Sequence, residues 1–429
     1  MSIAFSLLLI CIVFAAGTAI QDNAASQSLL ALFIAAALAS IGVSTRAADV
    51  KFAGQVTKGL KLIAAIPAGW MILQILPTPI GANSIWSYAN QALDRQAWGH
   101  ISLDPGRSLG AVAWYIANIA LIVVSLFATI DRRRAELVLF VLTGATGLTT
   151  IGLLIASFGL LPGVSAEHAP PLLSAFGALG VLFAVTSGAR AFERLSKSAK
   201  GSSRPTEILL AFLASGVGLV CSAAGLAASA SLNMGLIVFF GIAIFASAQI
   251  VRRIGLGGWA IVTLAATLTL AAAMIFVWRY DPTRPLSPFL QFAGTSSADA
   301  LSAAQRMLAD SGWRGTGAGT FAKTLPLYQE LGAGGTPPPT TASALVIELG
   351  WPIAIVIIIS AGWLAITLYR GALERGRDSF YPAAACACTV VAVGQAFCDA
   401  TLLNSSIAVI IDVTIGLGLA QSVSRREGP

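Results

Sequence analysis

Apolar runs of about 20 residues recur along the whole chain, each long enough to cross a bilayer core of about 30 Å. Their spacing predicts twelve transmembrane helices, at about 3–21, 27–44, 60–77, 109–130, 136–158, 171–189, 207–230, 234–250, 257–278, 343–369, 381–399 and 404–420. The first run, SIAFSLLLICIVFAAGTAI, has no Lys or Arg before it. It lacks the basic flank of a secretory signal and reads as a retained helix. No repeat of 20–50 residues is visible. The most linker-like stretch is KSAKGSSRP, within 190–205. The expected fold is an all-α polytopic membrane protein, a single integral membrane domain over 1–429.

Composition agrees: 56% of the residues are hydrophobic and only 10% charged, with a mean hydropathy of +0.82. A soluble chain carries roughly 25% charged residues. When the spans alternate, 19 of the 26 Lys and Arg fall on one side, in the segments holding Arg46 to Lys61, Arg132–Arg133–Arg134, Arg190 to Arg204, Arg252–Arg253, Arg370 to Arg377 and Arg425–Arg426. The positive-inside rule makes that side cytoplasmic. Both termini are then cytoplasmic, and the two large loops, 78–108 and 279–342, face outward, the second just before helix 10. The net charge of +7 is therefore a topology signal and not a sign of nucleic-acid binding. His100 and His168 are the only histidines, and the five cysteines sit in or beside apolar runs without C-x-x-C spacing. No metal site or other cofactor is expected.

Residues 315–324, GTGAGTFAKT, nearly fit the nucleotide P-loop from Gly317 onward, with Ala322 where the second glycine belongs. A P-loop follows a strand and works where nucleotide is present. This stretch follows a helical pattern and faces outward, so no nucleotide is expected. Ser296 and Asp299 have capping-box character. ADALSAAQRMLAD then places Leu301, Ala304 and Leu308 on one helical face, with Arg306 and Asp310 spaced as an i,i+4 pair. Gly312 reads as the helix stop. The glycines read as a tight turn leading into a second short helix with Lys323 and Tyr328, and PPP at 337–339 ends the loop.

The outward loops carry Arg279, Arg284, Arg306, Arg314 and Lys323 in one, and Arg95, His100 and Arg107 in the other. Guanidinium groups hold phosphate oxygens in a bidentate fork and stay charged, so this cluster suits an anionic lipid head such as a polyprenyl diphosphate. Membrane lipid head groups and the loop acids are the competing partners. Trp86, Tyr88, Trp98, Trp313 and Tyr328 offer faces for sugar rings, while Trp278 and Trp351 flank spans as interfacial anchors. Three acids fall at membrane depth: Glu348 opens the tenth span, Asp399 closes the eleventh and Asp412 lies within the twelfth. Such carboxyls serve a proton or substrate path, or are held by hydroxyl and amide groups in the bundle.

The chain resembles the O-antigen ligase and O-antigen polymerase family. The likeness rests on the twelve-span layout, on MLADSGWRGTGAGTFAKTLPLY (307–328) followed by ALVIELGWP (344–352), and on NSIWSYANQALDRQAWGHISLDPGRSL (83–109). It covers about 80 residues. It implies a metal-independent glycosyltransferase of the bacterial inner membrane, acting at the periplasmic face. Such an enzyme moves a glycan from undecaprenyl diphosphate to a glycan or lipid acceptor in surface-polysaccharide assembly. Arginines hold the diphosphate, and a histidine before the E-L-G helix acts at the acceptor.

The sequence departs from that pattern near Pro339–Thr340, where no histidine stands, and at TSSADAL, where an arginine is expected. Arg306 and Arg314 take the place of the missing arginine, with Arg279, Arg284 and Lys323 completing the diphosphate set. A base must take a proton near working pH, which leaves His100, Glu330 and Glu348; His100 and Glu348 are the catalytic candidates. Two other readings stay open: a transporter or flippase with Asp399 and Asp412 in its path, and an inactive scaffold of the same fold.

Overall fold

The computed structural model describes residues 3–45, 47–78, 81–94, 98–160, 169–198, 205–254, 286–294, 297–329, 338–374 and 378–422, with isolated positions between 263 and 274. The described residues form helices and connecting turns, and the chain is an all-α polytopic membrane protein. The helices are α1 (Ile3–Thr18), α2 (Ala24–Ser44), α3 (Ala47–Val56), α4 (Leu60–Ile75), α5 (Ile85–Leu93), α6 (Pro105–Ala128), α7 (Arg132–Ser157) and α8 (Ala169–Ser198). They continue with α9 (Pro205–Ala228), α10 (Leu232–Ile254), α11 (Ala298–Asp310), α12 (Phe321–Thr324), α13 (Thr341–Leu349), α14 (Trp351–Glu374), α15 (Phe380–Cys398) and α16 (Ser405–Ser422).

Nine of the twelve expected spans appear as helices long and apolar enough to cross a membrane. The first is a shorter apolar helix of 16 residues. The third is the second half of a bent pair, Asp49–Val56 and Leu60–Ile75, which meet at 71°. The ninth, 257–278, lies outside the described residues. The tenth differs from expectation: it does not run unbroken from 343, because Gly350, at φ 85°, separates the short α13 from α14. Glu348 therefore belongs to a helix that precedes the span.

The helix α16 forms the centre of the bundle, with every residue from Ser405 to Val413 buried except Ala408. Its sequence, SSIAVIIDVTIGLGLAQS, is apolar or small on all sides, which is the pattern of a helix enclosed by others. Small residues let neighbouring backbones approach. A Cβ on Gly416 would stand 2.5 Å from the Ile122 carbonyl of α6, and one on Gly371 of α14 would stand 2.5 Å from the Ser422 Cβ. Side-chain donors also close backbone acceptors between helices. The Ser125 hydroxyl donates to the Val413 carbonyl (2.7 Å), and the Gln421 amide donates to the Thr129 carbonyl (2.6 Å).

At one end of the bundle, charged side chains knit four helices. Arg132 at the start of α7 pairs with Asp378 in the turn before α15 (2.9 Å). Arg190, near the end of α8, is only 3% exposed and stands 3.6 Å from Glu136 and 3.7 Å from Asp378. Its guanidinium lies over the Tyr381 ring, 4.6 Å from the centroid, while Arg194 completes the group on Glu136. Arg252 of α10 donates to the Ser379 hydroxyl (2.7 Å). From the sequence these arginines are topology markers only. Their burial makes the centre of the cluster structural.

Removing a buried member of an ion-pair group costs about 3 kcal/mol or more, whereas an exposed pair is worth about 0–1 kcal/mol. Arg190→Leu should therefore lower the unfolding temperature in detergent markedly, and Arg194→Ala should leave it nearly unchanged. Equal effects from the two substitutions would contradict this account of the cluster.

Candidate functional site

The opposite end of the bundle carries the loops, and the two outward loops expected from the sequence meet there. The link begins with Gln74, in the last turn of α4 and fully buried. Its side-chain amide donates to the carbonyls of Arg314 and Glu348, 3.0 Å each, and its oxygen accepts the Ala318 N–H at 3.2 Å. One side chain thus closes three backbone groups of the late loop. Trp70, one turn earlier, donates to the Leu349 carbonyl (2.9 Å). From the first loop, the Leu103 N–H donates to the Thr316 carbonyl (2.8 Å) and the Ser108 hydroxyl to the Ala318 carbonyl (2.9 Å).

The glycine run is the piece that these groups hold. Gly315, Gly317 and Gly319 all have positive φ, at 75°, 110° and 75°. At Gly317 the conformation is combined with a close approach: a Cβ there would lie 2.8 Å from the Ser102 Cα. Only glycine meets both demands. The run is tied to the end of α13 by Thr316 N–H to the Ile347 carbonyl (2.8 Å) and Gly317 N–H to the Glu348 carbonyl (2.9 Å). The Glu348 carboxylate then accepts the N–H groups of Gly319 (2.9 Å) and Phe321 (3.0 Å), the latter opening α12. The G-x-G-x-G-x-F and E-L-G sequences are therefore two halves of one backbone clasp. It resembles a P-loop only in composition, because a carboxylate occupies the N–H groups that would face a phosphate.

Short helices complete the layer. The helix α11 is capped by Ser297, whose side chain accepts the Ala300 N–H, one residue later than the expected Ser296. It stops at Asp310, before Gly312, with Ser311 as its cap. Its buried face is Ala300, Ala303, Ala304 and Met307, so Leu301 and Leu308 sit at the edge of the stripe and not at its centre. Met307 packs with Phe321, Leu325, Ala344 and Ile347 in a small core separate from that of the bundle.

The candidate residues fall in different places. Glu348 is half-buried with both oxygens engaged; burial pushes its carboxyl up to about 7, against the two N–H bonds that pull it down. His100 is half-buried, with Nδ1 2.6 Å from the Ile75 carbonyl and its ring edge-on to Trp86. Since a carbonyl only accepts, Nδ1 carries the hydrogen. Arg314 donates to the Gly81 carbonyl (2.5 Å) and lies over its neighbour Trp313. Arg306 donates to the Tyr328 carbonyl (2.5 Å), just past the 3-10 turn Leu325–Leu327, and not along its own helix to Asp310. Lys323 is exposed. Arg279, Arg284, Arg95 and Glu330 lie outside the described residues.

A groove of about 380 Å³ opens between the two loops. One wall is Asn83, Ser84, Ile85 and Tyr88 at the start of α5; the other is Met307, Asp310 and Ser311 of α11 with Leu327 and Tyr328. Leu103, Thr316, Thr324 and Ile347 form its floor. Among the described residues Asp310 is the one charged group in this lining, with no Lys, Arg or His beside it. Burial first, and then the nearby Asp310 carboxylate, raise the Tyr328 phenol above its ordinary 10. The candidate bases and cations His100, Glu348, Arg306, Arg314 and Lys323 all lie outside the lining. Among the described residues no three metal-ligating side chains gather.

Fold and site together define a polytopic membrane protein with a two-loop layer over one end of its bundle. Comparison with models of known protein families and with curated proteins gave no match.

Two predictions test the clasp. Gly317→Ala combines a positive φ with a steric clash, and should destabilise the loop layer by about 1–3 kcal/mol; limited proteolysis between Gly312 and Tyr328 should accelerate. Glu348 also gives a pH dependence. Between its ordinary 4.5 and about 7 the folded chain holds a proton that the unfolded chain has lost, so stability falls as pH rises through that window. Thermal unfolding in detergent from pH 4.5 to 7 should show this slope, and Glu348→Gln should flatten it.

Proposed function

We propose that this chain is a bacterial inner-membrane protein of surface-polysaccharide assembly, acting at the periplasmic face on a glycan linked to undecaprenyl diphosphate. The observation that carries the reading is the groove between the two loops. Tyrosine faces beside hydroxyl and amide groups suit a sugar ring, because a ring presents an apolar face and a polar rim. Asp310 supplies an acceptor for sugar hydroxyls, and the described part of the lining holds no basic group, which suits a glycan better than a diphosphate. The diphosphate then sits outside the groove, toward Arg306, Arg314 and Lys323 on the loop surface. Orientation rests on the basic residues at the charged end of the bundle, which the positive-inside rule assigns to the cytoplasm.

In the transfer, an acceptor hydroxyl attacks the anomeric carbon with inversion. The new bond is oxygen to anomeric carbon, the broken bond is anomeric carbon to phosphate oxygen, and undecaprenyl diphosphate leaves. The hydroxyl proton passes to a base at the groove, for which Asp310 is the carboxylate within the lining. A scaffold role is the second reading. It is favoured by Glu348, whose two oxygens are both held by backbone, and by the lack of histidine at 339–340.

Deleting the gene should change the surface polysaccharide and build up its lipid-linked precursor. Complementation with Asp310→Asn should restore at most about a tenth of the activity, a loss of roughly 1.4 kcal/mol in barrier terms. Unchanged polysaccharide in the deletion strain would reject the proposal. Full complementation by Asp310→Asn, with precursor still bound, would favour the scaffold.

A further inference from the structure

The third span is broken, and the break carries two lysines. The helices α3 and α4 meet at 71° around Thr57–Gly59. Three contacts fix the depth of that joint. Near the loop layer, Trp70 of α4 donates to the Leu349 carbonyl (2.9 Å), just before α14 begins. Deeper, the Tyr115 hydroxyl of α6 donates to the Ala64 carbonyl (3.0 Å). At the joint itself, the Trp363 ring fills the space where a Cβ on Gly59 would stand. Trp363 lies halfway along α14, twelve residues after Trp351 and eleven before Glu374. At 1.5 Å per residue the joint is about 18 Å from the loop-layer end of that helix, well inside a hydrocarbon core of about 30 Å. Tilting α14 shortens both halves alike, so the joint stays near mid-depth. The piece before the break belongs to the bundle: Ala53 of α3 is buried in the main core, and Val56 and Leu60 pack against it.

Lys58 and Lys61 flank Gly59, and both side chains are exposed. From the sequence they count among the basic loop residues; the contacts above set them within the span. Among the described residues neither side chain makes a hydrogen bond or an ion pair. The adjoining elements offer no acid at this level. The helices α2, α4 and α6 contain none. Glu374 is at the far end of α14, Asp49 is in the first turn of α3, and Asp412 of α16 is buried in the core. A charged lysine at such a depth is costly and calls for a partner or for water. Its four-carbon stem lifts the ammonium only part of the way to an interface. The surface beside the lysines is apolar. Leu62 and Ile66 form an exposed stripe on α4, and Ile355, Ile359 and Trp363 form one on α14, which packs against α4.

We infer that Lys58 and Lys61 bind the phosphate of an anionic phospholipid, drawn toward the middle of the membrane beside the α3–α4 break. Local thinning of the bilayer and water around the break bring the head group to the lysines. Two ammonium groups serve a phosphate as point charges, without the fixed fork that arginine imposes. The acyl chains lie along the apolar stripes of α4 and α14. A soluble anion would meet the charges and leave those stripes unused, so the surface fits a lipid. The site lies about half a membrane away from the sugar groove and stands whether or not that reading holds.

The full chain in nanodiscs of phosphatidylglycerol and phosphatidylcholine in equal parts tests this in two measurements. A nitroxide on Leu62→Cys, in a Cys221→Ala background with both lysines kept, should report a depth within the hydrocarbon core. Native mass spectrometry of the released protein should show retained phosphatidylglycerol enriched several-fold over phosphatidylcholine. Lys58→Gln combined with Lys61→Gln should abolish the enrichment, and Arg133→Gln at the charged end of the bundle should preserve it. If the glutamine pair does not fold, Lys61→Gln alone should reduce the enrichment while Lys61→Arg keeps it. Added inorganic phosphate should leave the retained lipid in place. A head-group depth for the nitroxide, or an enrichment indifferent to the lysine substitutions or lost equally in Arg133→Gln, would overturn the site. Displacement of the lipid by inorganic phosphate would overturn it in favour of a soluble anion.

Discussion

A backbone that leaves its helix beside a membrane must still find partners for its N–H and C=O groups, and in this protein the loop layer depends on how Gln74 meets that demand. Its amide reaches three backbone groups belonging to the glycine run and to the end of α13. Buried polar groups carry a large penalty when unpaired, so the last turn of α4 holds the late loop in place. Glu348 performs the complementary service from within the loop, fastening the start of α12. The groove between Tyr88 and Tyr328 exists because both fastenings hold their walls at a fixed separation.

Much of the fold was legible because a membrane imposes a simple rule: a long apolar run has few alternatives to a spanning helix. That rule located eleven of the expected spans among the described residues, including the bent α3–α4 pair. It misplaced the start of the tenth, where ALVIELGWP is apolar but for Glu348 and the backbone conformation of Gly350 divides it. Hydropathy does not register a positive φ. Gln74 and Arg190 were missed for a related reason. Each is a polar residue at the end of an apolar segment, where its sequence looks like an ordinary boundary and its partners are far along the chain.

The site was legible in outline only. The segments 83–109, 307–328 and 344–352 do meet in space, and Tyr88 and Tyr328 were visible as faces for a sugar ring, whereas Asp310 read only as an ion-pair partner for Arg306. Their convergence was not visible, because it depends on a first-loop helix and a late-loop helix brought together by backbone bonds. Arg306 and Arg314 show the reverse case. Their charge suggested a ligand, while the structure gives each a carbonyl partner within the protein. A guanidinium has five donors, so one such bond fixes its direction and leaves most of its capacity to an anion.

The central position of α16 bears on how the protein is made. The chain emerges in order, so the helix that fills the middle of the bundle enters after α1, α6 and α15, the helices that surround it. Until then those helices present small residues and hydroxyls such as Ser125 to lipid, with no carbonyl to receive them. Assembly thus resembles closing an arch with its keystone: the earlier helices can be inserted one by one, but their mutual arrangement is settled only when Ser405–Ser422 slides into the gap.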